Sequence, residues 1–496
     1  MNIRRLLIAI TFLALFAMAM RVSMDTDTWW HLRTGAWILD NQAIPKMDPF
    51  SYTRADQAWP HPGWLIQVPM LWIYQVAGPG GLNLWVALMV TAAFAFIWKA
   101  ASVGLFVRAF ALVLAAATAG VYWAARPYMA TFVLAAAFLW ILEDWRWGRN
   151  NRLWLLPALM IIWANSHGGF AVGGMLWGVY GLGIGITWLS RRRSTSEFAA
   201  GAGDDEFPYD ALPALRQMIL IGFLMVLAIV VNPNGFQMLA YPFQTVQIEA
   251  LQDFIQEWQS PNFHELQVHP FIWLLLLTLG AAGASRLPLR LIDFLLVSGF
   301  AYLSLLAARN FALFSLVAPI VLIRHAHVLL DDWGDRLGWR LQVSRRPPKR
   351  LQSAVNTFLL VLIFAAVFVK AAAVWPVAEN EKVFATFLPL KAAEFLTDSE
   401  LEPNLFNSYN WGAYLLWRLP DYPVFVDGRT DLYNDEIIDE WFQVVRAEPG
   451  WQSVLDRWDV QIVLLEPELP IIAELEQANW LQIYADEQAV IYRRGP

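Results

Sequence analysis

The chain contains no cysteine among its 496 residues. Disulfide frameworks, thiolate nucleophiles and zinc–thiolate sites are therefore excluded. Charge is scarce as well. Asp, Glu, Lys and Arg make up 16% of the sequence, against about 25% in ordinary soluble domains. No HExxH, P-loop or GxGxxG pattern stands in a suitable context, so no metal site and no cofactor is expected. No internal repeat or low-complexity segment is present, which argues against the pseudo-symmetric halves of many transporters.

What remains is apolar. Hydrophobic residues reach 58% and the mean hydropathy is +0.42. Such a chain is expected to be an α-helical polytopic membrane protein. Apolar runs predict eleven spans, at 6–22, 82–98, 109–125, 128–143, 153–165, 171–189, 217–232, 271–285, 291–308, 311–323 and 354–374. The basic clusters (Arg4 and Arg5, Lys99 with Arg108, Arg146 to Arg152, Arg191 to Arg193, Arg286 with Arg290, Arg336 to Arg350) then all fall on one side. By the positive-inside rule that side is cytoplasmic, and so is the N-terminus. The segments 23–81, 233–270 and 375–496 fall on the exported side. Residues 1–374 are thus expected to form the membrane domain, and 375–496 a small extracytoplasmic α/β domain. Charge supports the division. The tail holds 22 acidic and 8 basic side chains, while the whole chain carries only −7. A basic cytoplasmic face joined to an acidic exported domain does not fit nucleic-acid binding. A competing reading makes the first stretch a signal peptide, cleaved at Ala17-Met18-Ala19.

The exported loop 23–81 reads as structured. Trp29, Leu32, Ala36 and Leu39 recur at helical spacing and predict an amphipathic helix on the membrane surface. A second apolar helix is expected from Trp64 to Val76, ending at Gly78-Pro79-Gly80-Gly81. In the tail, strands are expected at 423–427, 460–465, 481–484 and 489–492. Helices are expected at 389–396, 436–445, 451–458 and 469–477. Residues 194–214 read as a mobile cytoplasmic loop.

The run Met24-Asp25-Thr26-Asp27-Thr28-Trp29-Trp30-His31 directly follows the first span. Carboxylates at the mouth of a membrane helix are costly unless something uses them. Asp25 and Asp27 are candidate general bases, able to take a proton from an incoming hydroxyl. The structural alternative is that Asp27 caps the helix starting at Thr28. His31 falls one turn beyond Asp27 on the same face. His61, held stiffly between Pro60 and Pro62, is a second candidate for contact with a phosphate or sugar, or simply a loop histidine. Arg126 and Arg309 stand at exported span ends, against the positive-inside trend, where a guanidinium suits bidentate phosphate binding. The alternative is a snorkelling arginine paired to a loop carboxylate. Asn165 and His167, followed by Gly168 and Gly169, form another polar helix end. Glu257 is a weaker candidate in the second exported loop. The 27 tryptophans are mostly expected in interface belts, with Trp29, Trp30 and Trp59 placed to flank a sugar ring. Asp427-Gly428-Arg429 in the tail reads as a structural turn.

With these motifs the chain resembles the GT-C glycosyltransferase superfamily, polytopic enzymes such as protein mannosyltransferases and lipid A sugar transferases. The matching stretches are Asp25-Thr26-Asp27-Thr28-Trp29-Trp30 and His61-Pro62-Gly63-Trp64-Leu65. Over its whole length it also resembles a bacterial group of membrane proteins whose function is itself inferred. Its marks are Asp27 to Gly35, Asp48 to Thr53, Trp163 to Gly169 and Val424 to Arg429. Two departures are visible: Asp-x-Asp stands where many members have adjacent Asp-Glu, and Gly63 where many have proline. The resemblance implies an inverting transfer of a sugar from a polyprenyl-phosphate donor to a lipid, glycan or protein acceptor, usually without metal. It places that transfer on the exported face of a bacterial inner membrane. Asp27, supported by Asp25, would be the base, and Arg126 with Arg309 would hold the phosphate. His31 and His61 would orient substrate. The alternatives are a flippase for lipid-linked saccharides and a non-catalytic scaffold with a partner-binding tail.

Overall fold

The apolar runs become helices, the form in which a segment in lipid satisfies its backbone N–H and C=O groups within itself. The computed structural model describes residues 1–55, 57–193, 211–337, 349–399, 401 and 404–495. Most of the 194–214 segment, expected as a mobile loop, lies outside the described residues. The first half of the chain contains α1 (Ile3–Ala19), α2 (Thr28–Asn41), α3 (Trp64–Ala100), α4 (Leu105–Ala119), α5 (Tyr128–Arg146), α6 (Leu155–Ala164) and α7 (Ala171–Arg193). Then come α8 (Ala211–Val230), α9 (Gln237–Val246), α10 (Glu249–Phe254), α11 (His269–Ala284), α12 (Leu291–Leu306), α13 (Phe311–Arg336) and α14 (Lys349–Ala373).

Every predicted span falls on one of these helices. Among the described residues eight are long and apolar enough to cross a membrane, and α6 and α12 are shorter apolar helices. The chain is a polytopic helical membrane protein. Helix α5 is central: 89% of its apolar window is buried, against 6% for α14. The outermost helix therefore presents its side chains to lipid. The expected break at Gly78 is present as a kink inside α3, with Gly78 at φ 60°. Glycine reaches this left-handed conformation at little steric cost.

A buried ion network sits at the Arg146 end of α5. Arg146 donates to Glu143 (3.1 Å) and Asp293 (2.6 Å), and Arg324 pairs with both carboxylates. Tyr180 donates to Glu143 at 2.7 Å. The network ties α5, α7, α12 and α13 together. Replacing one partner of a buried pair leaves an uncompensated charge, which costs about 3–5 kcal/mol. Arg146→Met is therefore expected to lower the thermal unfolding midpoint in detergent sharply. An unchanged midpoint would show that Arg324 alone neutralises both carboxylates.

Beyond α14 lie α15 (Val377–Phe384), α16 (Leu390–Thr397), β1 (Leu405–Asn407), α17 (Tyr409–Arg418), α18 (Thr430–Val445), α19 (Trp451–Arg457), β2 (Ile462–Leu465), α20 (Ile471–Gln477), β3 (Leu481–Ala485) and β4 (Val490–Arg493). The sheet order is β1-β2-β4-β3, with β1 parallel to β2 and the other pairs antiparallel. The expected strand at 423–427 is reduced to single bridges, from Val424 to Leu405 and to Ser51. One side of it is taken by the loop that carries Ser51. Helix α2 also departs from expectation. Its face of Trp29, His31, Leu32 and Gly35 is buried, packed between α3 and α17. The tail covers the surface helix, because an apolar face of that size is better buried on protein than left at an interface.

Candidate active site

Three loops converge on Asp25 and Asp27. Ser23 accepts from the Ala125 N–H (2.7 Å), and the Thr28 hydroxyl donates to the Ala125 carbonyl (2.9 Å). These bonds lay the 23–28 segment beside 123–127 and bring Arg126 to the aspartates. Asp25 accepts the Asp27 N–H at 2.8 Å, so Asp25 acts as the local cap. Asp27 makes no side-chain cap bond. Its carboxylate lies 3.4 Å from Arg126.

Arg126 is the hub. Its guanidinium also lies 3.4 Å from Asp25 and donates to Glu257 at 2.7 Å. Arg309 reaches the other oxygen of Glu257 at 3.5 Å and stacks over the Trp258 ring at 4.3 Å. Glu257 is held in place indirectly. The α10 segment before it docks on α18, where Asp435 accepts the Ala250 N–H at 2.8 Å. In turn Asp431 accepts from the Tyr241 hydroxyl at 2.9 Å. The site is thus built from the segments that carry Asp25 and Asp27, Arg126, Glu257 and Arg309, braced by the tail.

The electrostatics follow from three carboxylates sharing two guanidinium groups in partial burial. Burial, then the Asp25 charge, pushes the Asp27 carboxyl up to about 8, despite the opposing pull of Arg126. Burial also raises Asp25, again opposed by Arg126. Glu257 goes the other way, down to about 2, because Arg126 and Arg309 outweigh its burial. The arrangement separates a carboxyl able to hold a proton near neutrality from one that stays ionised. Environments that push neighbouring carboxyls apart in this manner are characteristic of acid–base sites. Among the described residues, no group of three or more His, Asp or Glu is arranged to hold a metal ion.

A cavity of about 670 Å³ opens onto Asp25, Arg126 and Glu257. Its walls come from α1 (Met18), α4 (Ala116, Ala117) and the start of α11 (Pro270), with Arg21 and Gln267 also lining it. A cavity walled by apolar side chains and by Arg21, Asp25, Arg126 and Glu257 suits an amphipathic ligand with a charged head.

His167 approaches the cluster from another side. Its Nδ1 accepts the Gly169 N–H (2.9 Å) and pairs with the Thr131 hydroxyl (2.9 Å), which leaves the neutral ring's proton on Nε2. Burial and the nearby Arg309 and Arg126 lower it to about 3. The remaining sequence candidates bond or pack to other partners, although His31 stands close enough to feel His167 and Arg126. Asn165 spends its side chain on Trp64, Ile161 and Val231, pinning helix ends together. His31 and His61 are buried on either side of Gln67, at 3.1 and 3.2 Å. Trp29 packs edge-on against Tyr74, Phe384 and Tyr414. Trp59 stacks on His61 at 4.0 Å, and Trp30 is only half-buried. The Arg126–Glu257–Arg309 chain unites three residues that sequence reasoning named separately. Asp427 and Gly428, which also border Asp27, were signalled by a turn-like motif within the Val424 to Arg429 stretch and were not named as site residues.

The sequence matches no family model and no curated protein. The fold is similar to that of the oligosaccharyltransferase AglB from Archaeoglobus fulgidus in complex with an inhibitory peptide and a dolichol-phosphate. That likeness has TM-score 0.56 at 11% identity, covering 94% of this chain and 69% of the other. The apo form of the Archaeoglobus fulgidus oligosaccharyltransferase gives TM-score 0.55 at 10% identity, covering 94% and 70%. ArnT from Cupriavidus metallidurans, bound to undecaprenyl phosphate, gives TM-score 0.47 at 16% identity, covering 99% of each chain. At these identities the likeness to the two oligosaccharyltransferase structures shows a shared fold.

Proposed function

We propose that this protein is a glycosyltransferase that moves a sugar from a polyprenyl-phosphate carrier to a hydroxyl on a lipid, glycan or protein acceptor. The carrying observation is the cluster of Asp25, Asp27, Arg126, Glu257 and Arg309, reached from an apolar cavity. AglB, whose fold is similar, binds a dolichol-phosphate, which supports a lipid phosphate as ligand class. In this reading the acceptor oxygen attacks the anomeric carbon from the face opposite the phosphate. The carbon–oxygen bond to phosphate breaks with its electron pair leaving on the phosphate, and configuration inverts. Asp27 takes the acceptor proton. Asp25 fixes the start of α2 and with it the position of Asp27. Arg126 and Arg309 stabilise the charge on the departing phosphate, the step at which preorganised cations contribute most. The basic clusters support placing this site on the exported side of a bacterial inner membrane, with the tail extracytoplasmic.

The test is turnover by purified protein of a panel of radiolabelled polyprenyl-phosphate sugars, with the acceptor supplied as a membrane extract. Label is expected to move from at least one donor to an acceptor. Binding of donors without turnover, by folded protein, would favour transport of lipid-linked saccharides instead.

A further inference from the structure

The tail touches the site at one turn, Asp427-Gly428-Arg429, and the surroundings of that turn are unusual. Arg429 is buried, as are both carboxylates it binds. It donates to Asp427 through Nε (2.8 Å) and a terminal nitrogen (2.6 Å). Its other terminal nitrogen reaches Asp48 of the exported loop at 2.6 Å. The guanidinium is roofed by Trp59 at 4.7 Å and Phe50 at 5.3 Å. Tyr433 adds a bond to Asp427 at 2.8 Å. The same loop is fastened alongside: the Thr53 hydroxyl donates to the Phe425 carbonyl (2.6 Å), and Arg54 pairs with Glu436 (2.9 Å).

Burying one cation with two carboxylates is poor value as stabilisation, since apolar residues of equal volume often do as well. What the triad supplies is a fixed geometry. The fork of Arg429 can satisfy Asp48 and Asp427 together only when the loop and the turn stand in one relative position. In that position Gly428 lies directly against Asp27. A Cβ built at 428 would overlap the Asp27 Oδ1. Glycine alone allows the backbone to come this close.

We propose that the Asp48–Arg429–Asp427 triad is a positioning device that holds Gly428 on the Asp27 carboxylate, making the tail a working part of the catalytic centre. This rests on the reading of Asp27 as the base. The triad keeps water from one face of the carboxylate and fixes its rotamer toward Arg126. The other charged and titratable groups facing Asp27 are Asp25, Arg126, Glu257 and Asp427, with Tyr409 of α17 alongside. None of these is altered by a methyl group at position 428.

Two variants of the full-length protein test the proposal. Gly428→Ala adds a methyl group and removes no charge or hydrogen bond. Arg429→Lys keeps the charge and loses the fork. Misplacing a catalytic group by about 1 Å costs about 10²-fold. Gly428→Ala is therefore expected to lower kcat about 10²-fold, leave KM for the donor within about 2-fold, and move the pH limb of turnover. Arg429→Lys is expected to shift the limb in the same direction with a smaller loss. Wild-type turnover with an unmoved limb and a kcat within 3-fold of wild type in both variants would overturn the proposal. If the wild type turns over no donor, the transferase reading fails. The proposal is then read by infrared titration of the Asp27 carboxyl, isolated as the wild-type minus Asp27→Asn difference. A displaced titration in either variant supports the contact, and an unmoved one in both overturns it.

Discussion

If the proposed transfer runs through Asp27, Asp27→Asn is expected to lower it by about 10³-fold while leaving the protein folded. The magnitude is that of losing a positioned general base. The pH dependence separates this from a structural effect. As the proposed base, Asp27 must be ionised, and its carboxyl is pushed up to about 8, so kcat/KM in the wild type should climb with pH and level off above about 8. Burial is the larger cause of that elevation and the Asp25 charge the second. Asp25→Asn removes the second cause, so the limb should move toward lower pH. Stability runs the opposite way. A carboxyl raised in the folded state contributes stability below its unfolded pKa, and that contribution is lost as pH rises through the folded value. Asp27→Asn removes this penalty. Its unfolding midpoint at pH 9 should equal or exceed that of the wild type, although it is inactive. An Asn variant that is active, or that unfolds earlier at pH 9, would return Asp27 to a structural role.

Arg126→Met should be the more disruptive change, because it removes a cation shared by Asp25, Asp27 and Glu257. The three carboxylates are only partly exposed, with side-chain accessibilities of 10, 24 and 22%. Leaving such charges uncompensated costs on the order of 3 kcal/mol. Transfer should fall by about 10²–10³-fold in addition, the usual loss on removing a preorganised charge donor. The stability gap should depend on pH. Glu257 is held down at about 2 chiefly by Arg126, so its contribution is present above the ordinary glutamate pKa of about 4.3 and fades as pH falls toward 2. Thermal unfolding of both proteins between pH 5 and pH 2 should show the gap narrowing. Arg309→Met should cost less, since Arg309 has a single, longer contact of 3.5 Å to Glu257. Equal losses for the two arginines would contradict the hub role of Arg126.

The pattern of what could be read early is specific. Each apolar run from 6–22 to 354–374 lies on a helix, since hydropathy and length are properties of the segment itself. The break at Gly78 and the start of α2 at Thr28 were legible for the same reason: both are written in neighbouring residues. The placement of α2 was not, because its apolar face fits a membrane surface and a protein groove equally well. The segment 423–427 has strand composition, yet forms only single bridges, to Leu405 on one side and to the distant Ser51 on the other.

Within the site, the sequence alone supplied the inventory. It named Asp25, Asp27, Arg126, Glu257 and Arg309 as charged groups in exported loops, from local composition and the side of the membrane each loop was expected to face. Only the tertiary structure decided their company. It joined Arg126 to three carboxylates, buried His31 and His61 on Gln67, and spent Asn165 on helix ends. It also turned an Asp-Gly-Arg turn some 400 residues from Asp27 into its neighbour. The physical reason is the range of the forces involved. Helix formation and lipid partition are set by residues within a few turns of each other, whereas pairing of charges across loops depends on how the helices beneath them pack.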